Sequence, residues 1–154
     1  MRLVPEKLSM KMFTISCLTL LSAVTPALAG LGDTVESVAT DQRKFQARMK
    51  VTQASGYTVH ELTTDNGTVM NEYVSPAGKV FGVSWSGPII PDLTQLYSSY
   101  FQQYSGNVKK GSRRHVAVRT NDLVVEARGH QRDYSGRAYV ISLLPAGVSP
   151  EVIQ

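Results

Sequence analysis

Apolar positions recur at two different periods along the chain, and the change of period divides it into elements. Val35, Val38, Phe45 and Met49 recur at helical spacing, while Asp41, Arg43, Lys44 and Arg48 fall on the opposite face. Asp33-Thr34-Val35-Glu36 before them has the form of a capping box. The spacing predicts a surface helix ending before Ser55-Gly56. From Tyr57 the period drops to two. Tyr57 to Thr63 and Thr68 to Val74 read as strands joined by Asp65-Asn66-Gly67, a tight-turn signal. Ser75-Pro76-Ala77-Gly78 turns the chain again into a third strand, Lys79 to Ser86, with Phe81, Val83 and Trp85 on one face. Three strands with short connections predict an antiparallel meander.

Gly87-Pro88 and Pro91 then end the sheet, and Asp92 caps a second helix. Leu93, Leu96, Tyr97, Tyr100, Phe101 and Tyr104 keep helical spacing throughout. This aromatic stripe has the geometry of a stacking platform, but a row at that spacing is far more often a core face. After Ser105-Gly106-Asn107, residues 115–120 and 123–128 read as strands around Asn121-Asp122. Gly129 to Gly136 reads as a longer connection, Arg137 to Leu144 as a last strand, and Pro150 to Ile153 as one helical turn.

Gly78-Lys79-Val80-Phe81-Gly82-Val83-Ser84 is echoed by Gly136-Arg137-Ala138-Tyr139-Val140-Ile141-Ser142. The expected fold is therefore α+β: an antiparallel sheet of two three-stranded meanders, each preceded by an amphipathic helix, with a candidate duplication. If the echo marks a duplication, the meanders join as one sheet with both helices on one face; chance similarity of two hairpins is the alternative.

The first 29 residues read as an address rather than fold. Lys7 and Lys11 precede an apolar run from Met12 to Val24, and Thr25-Pro26-Ala27-Leu28-Ala29 ends in a small-x-small cleavage pattern. The run is short of the roughly 20 residues a spanning helix needs. Cys17 lies inside it, too early to be a lipidated first residue. Residues 30–154 then form one domain without cysteine, which excludes a disulfide framework, a thiol nucleophile and thiolate metal ligation. The formal charge is +4; the leader holds Arg2, Lys7 and Lys11 against Glu6, leaving +2. That balance gives little reason to invoke nucleic acid.

Chemical motifs are sparse. Gly82-Val83-Ser84-Trp85-Ser86 lacks the final glycine of a nucleophile elbow, and Ser75 and Lys79 are one position too far apart for Ser-x-x-Lys. His60, His115 and His130 share no short metal motif, and Glu61, Glu72 and Glu126 are no more than any exposed sheet offers. Pairing across Asn121-Asp122 sets His115 opposite Arg128, within reach of His130. Asn66-Gly67-Thr68 matches a glycosylation sequon, though the turn explains the same residues. Two groups stand as candidate binding residues. One is His130, Arg132, Asp133 and Tyr134, in a connection with glycines at both ends. The other is the basic cluster Lys109, Lys110, Arg113 and Arg114, for which a solvated loop is the plainer account.

The segments YTVHEL (57–62), GTVMNEYVSPAGKVFGVSWSGP (67–88), PDLTQLYSSYFQQY (91–104), LVVEARGH (123–130) and GRAYVISLLPAGVSPEVIQ (136–154) resemble the bacterial exported family catalogued as domain of unknown function 2844. The resemblance implies secretion across the inner membrane and a small single-domain protein, and it carries over no reaction or catalytic residue. The expectation is an exported, periplasmic or secreted, non-enzymatic binding or envelope accessory protein. It has no cofactor, no metal and no membrane span after cleavage, and its partner is an unidentified envelope ligand or protein. A hydrolase of envelope sugars or peptides and an inhibitor docking by a sheet face or edge are the alternatives.

Overall fold

The computed structural model describes residues 30–109 and 115–154. Its centre is one seven-stranded antiparallel sheet, in the order β1-β2-β3-β4-β7-β6-β5. The strands are β1 (Arg48–Ala54), β2 (Tyr57–Thr63), β3 (Val69–Val74), β4 (Val80–Gly87), β5 (His115–Arg119), β6 (Leu123–His130) and β7 (Asp133–Val140). Helix α1 (Val35–Lys44) precedes them, and a broken helical segment separates β4 from β5: α2 (Leu93–Tyr97), a 3-10 turn at Ser98–Tyr100 and α3 (Phe101–Asn107). This overturns the expected helix–three strands repeated twice. Four strands, not three, precede the second helical segment, and β7 pairs with β4 to make one sheet.

The extra strand is β1. Helix α1 closes at Lys44, where Gln46 takes φ +50°, and Ala47 N–H reaches back to Gln42 O at 2.9 Å. Met49 therefore belongs to a strand that turns at Ser55-Gly56 directly into β2, in continuous register from Arg48↔Thr63 to Ala54↔Tyr57. The anticipated cap also moves. Thr34 is the N-cap of α1, and the Asp33 carboxylate instead accepts from Ser98 Oγ at 2.5 Å.

The echo has no structural counterpart either. Gly78 sits in a turn at φ +73°, whereas Gly136 is inside β7, paired with Trp85. Ser84 is within β4, but Ser142 lies in a 3-10 turn. The Gly129–Gly136 connection is likewise strand, apart from a two-residue turn, Gln131-Arg132, with Arg132 at φ +64°. Both glycines make room for rings. Tyr134 covers Gly129, and a Cβ on Gly136 would come within 2.7–2.9 Å of three atoms of the Trp85 indole.

The sheet has two covered faces. Leu62, Met70, Val83, Trp85, Leu123, Val125, Ala138 and Val140 bury one face, together with Val38, Leu96 and Tyr97 from the helices. Leu96 and Tyr97 are fully buried, and Tyr100, Phe101 and Tyr104 pack half-buried on the same cluster. The aromatic stripe is core. Tyr73, Phe81, Val124 and Tyr139 form the opposite face, covered by the tail through Ile153. Ile153 is wholly buried because Gly82 leaves a notch; a Cβ there would come within 2.5 Å of its Cδ1. Gln154 O then accepts from Ser84 Oγ at 2.5 Å and Tyr73 Oη at 2.9 Å. The start of the tail is tied down by Asp122, which accepts from Ser142 N–H at 2.8 Å and Ser142 Oγ at 2.9 Å.

Local turn and cap chemistry follows the residues. Asn66 Oδ1 accepts from Thr68 N–H at 3.0 Å across the β2–β3 turn. Asp92 Oδ1 accepts from Thr94 N–H at 2.9 Å and Gln95 N–H at 3.4 Å, starting α2. Asp92→Ala is expected to lower stability by about 1 kcal/mol in urea melts, with Asp92→Asn recovering most of the loss. Equal losses for Ala and Asn would assign the effect to something other than the cap.

Candidate functional site

Strand alternation sorts the polar residues of β4 to β7 onto the tail side of the sheet. Val125, Ala127 and Gly129 face the helices, so Glu126, Arg128 and His130 face the tail. On β7, Asp133, Ser135 and Arg137 do the same. The register lines these up in rungs: His115↔Arg128↔Ser135↔Ser86 and Ala117↔Glu126↔Arg137↔Ser84. Small side chains at Ser86, Ala117 and Ser135 keep the surface low between longer ones. The result is an open trough of about 670 Å³, with Ile153 and Gln154 forming its tail-side wall.

The charged groups are ordered by one another. Arg137 donates to Glu126 Oε2 from Nε at 2.8 Å and from its terminal nitrogen at 2.7 Å. Its other terminal nitrogen reaches Ile153 O at 3.4 Å, so the same guanidinium fixes the tail. Arg128 Nε donates to Ser135 Oγ at 3.2 Å, which holds an exposed guanidinium across the trough. That arrangement suits capture of an anionic group by a planar donor fork.

The candidate binding residues are divided by the structure. His130 and Asp133 are register partners at the end of the β6–β7 hairpin, one rung beyond Arg128 and Ser135. Arg132 is at the turn itself. Tyr134 points to the helix side, packed against the main core. Lys109 is exposed just after α3; Lys110, Arg113 and Arg114 lie outside the described residues. His115 does sit opposite Arg128, as the turn arithmetic requires. The trough residues Ser86, Glu126, Arg128, Ser135 and Arg137 were not singled out as a binding group from the sequence. Their signal was the alternation in Val125-Glu126-Ala127-Arg128-Gly129-His130, which puts every polar residue on one face.

A second polar cluster lies inside the core. Asp41 on α1 and Glu72 on β3 are both fully buried. Gln95 Nε2 donates to Asp41 Oδ1, and Lys44 Nζ donates to Gln95 Oε1 at 2.6 Å, so α1, α2 and β3 meet in one polar line. Asp41 Oδ2 and both Glu72 oxygens have no donor among the described residues, yet the two carboxyls face each other. Burial raises Asp41 to about 6, and burial together with the neighbouring Asp41 raises Glu72 well above the usual carboxylate range. Two buried carboxyls that face each other repel when both are ionised, so the fold favours keeping a proton on the pair. His60, opposite Glu72 in the β2–β3 register, is pushed below its ordinary value by burial. This cluster joins helix to sheet.

Among the described residues no three His, Asp or Glu side chains converge as a metal-ligand set, and no helix is long and apolar enough to cross a membrane. No curated protein and no solved structure matches the chain. A family model described as a protein of unknown function, DUF2844, matches residues 27–153, which takes in every element from α1 to the tail. The chain belongs to the DUF2844 family.

Proposed function

We propose that the protein is exported, loses residues 1–29, and acts without catalysis by holding an acidic envelope ligand in the trough. The observation that carries the binding part is the Arg128 guanidinium, steered by Ser135 across a low floor of Ala117, Ser86 and Ser135. The apolar side chains of Ala117 and Ile153 supply contact area, and Arg128 supplies orientation. Binding is favoured over hydrolysis because Glu126, the acid lining the trough, is engaged by Arg137. Export rests on the leader pattern, and the family match beginning at residue 27 agrees with a domain that starts where the leader stops.

Titration of the protein with acidic oligosaccharides and peptidoglycan fragments, followed by amide chemical shifts, tests the site. Shifts are expected at Ser86, Ala117, Ser135 and Gly136, and Arg128→Ala should weaken binding at least tenfold without altering the fold. Binding that is indifferent to Arg128→Ala would place the ligand elsewhere. Protein recovered from the periplasm or medium should begin at Gly30; recovery only from the cytoplasm with Met1 intact would remove export.

A further inference from the structure

We propose that the outer edge of β1 is a self-pairing surface, on which two copies of the chain join antiparallel about a two-fold axis at Val51. Strand β1 ends the sheet, bonded to β2 along its whole length and to nothing on its other side in the strand order. Two large apolar side chains on it are exposed: Met49 at 39% and Val51 at 53%. They share the helix-side face with Gln53. An open edge carrying exposed apolar residues is a template for another strand.

The backbone fixes which residues can bond. The two-residue turn at Ser55-Gly56 makes Ala54 and Tyr57 the mutually bonded pair that closes the hairpin. Thr52 and Lys50 therefore also direct their backbone groups toward β2, and Met49, Val51 and Gln53 direct theirs outward. A second strand must place outward residues opposite outward residues, which leaves a short choice of antiparallel registers.

Charge and overlap select among them. Centred on Val51, all of β1 overlaps: Met49 meets the partner's Gln53, Lys50 the partner's Thr52, and Arg48 the partner's Ala54. No cation opposes a cation, and Val51 packs on the partner's Val51. Centred on Lys50, that lysine would meet the partner's Lys50, which is repulsive. Centred on Thr52, the overlap shortens by two residues, losing outward bonds. The self-complementary register closes as a pair. Joining β1 to the five-residue β5 edge of another copy would instead leave free edges and grow without end.

Sedimentation of the purified protein over a wide concentration range tests this, with far-UV circular dichroism confirming that each variant folds. Val51 is exposed, so substitution there leaves the core intact. The wild type is expected at twice the chain mass, dissociating on dilution. Val51→Lys and Val51→Glu should each sediment as single chains, because like charges meet on the axis, and an equimolar mixture of the two should restore the double mass. A wild type that stays a single chain, an open series of higher masses, a paired Val51→Lys protein, or a mixture that fails to pair would each overturn the proposal.

Discussion

Glu72→Gln is expected to make the protein more stable at neutral pH, although it alters a fully buried residue. Glu72 and Asp41 are both raised by the fold, Asp41 to about 6. A carboxyl whose folded value is raised contributes stability that is fully present below its unfolded value of about 4 and is lost as pH climbs through the folded value. The wild type should therefore lose stability from about pH 4 upward through pH 6 and beyond. The charges facing the pair are Asp33, which adds to the strain, and Lys44, which relieves it at Asp41; His60, opposite Glu72, is held toward its neutral form. Gln at position 72 keeps the volume and offers Asp41 Oδ2 an N–H donor that does not titrate. The expected gain at pH 7 is on the order of 2 kcal/mol, roughly 5–10 °C in Tm, shrinking toward zero at pH 4. Parallel thermal melts across this range decide it. A variant less stable than wild type at pH 7, or a wild type whose Tm rises steadily from pH 4 to 7, would show that the fold does not keep a proton on the pair.

Gly136→Val should cost about 3 kcal/mol or more, because β7 lies inside the sheet and its helix-side face has no room for a side chain at this position. The obstacle is the face of the single tryptophan, which lies where the new Cβ would be and is itself 4% exposed and locked between helix and sheet. Trp85 Nε1 donates to Tyr97 Oη at 3.4 Å, so a displaced indole would also leave a buried hydroxyl short of its partner. Because Trp85 is the only tryptophan, its fluorescence reports the event directly: a red-shifted native emission should accompany the lowered urea midpoint. Gly136→Ala should fall between the two. Unchanged emission and midpoint in the valine variant would mean that the ring does not rest on the strand.

The contrast between what the chain spelled out and what it hid has physical causes. The strands β2, β3 and β4 and the aromatic stripe were legible because each keeps its period over most of its length and ends in Gly, Pro or Asn. In β4 a bulge opposite Tyr73-Val74 breaks the alternation, so Phe81 faces the tail while Val83 and Trp85, expected on its face, point to the helices. The strand β1 was hidden because Phe45 and Met49 satisfy helical spacing, while Arg48-Met49-Lys50-Val51 equally satisfies alternation. Ser55-Gly56 could have decided between them, since a two-residue turn before Tyr57 demands a strand on both sides. The break at Ser98 was invisible because the apolar stripe packs against the core on both sides of it; the residue takes φ +46° where its hydroxyl meets Asp33. In β6 and β7 the misleading letters were Gly129 and Gly136, which mark seats for Tyr134 and Trp85 rather than a loop. Reading them as a loop also scattered the site, since the trough exists only once the two strands run to their hairpin.

Strand β7 and the tail carry a consequence for how the molecule is made. The four strands from Arg48 to Gly87 pair in sequence, but β7 joins them to β5 and β6, and Ile153 and Gln154 close over Gly82 and Tyr73. The tail contacts link positions 70 or more residues apart, so residue 154 must have left the ribosome before the tail can close over the sheet. Until then the nascent polypeptide leaves the tail-side face of Gly82 and Tyr139 open, with Tyr57 packed across Phe81, and whatever binds the emerging polypeptide would meet that face open rather than sealed.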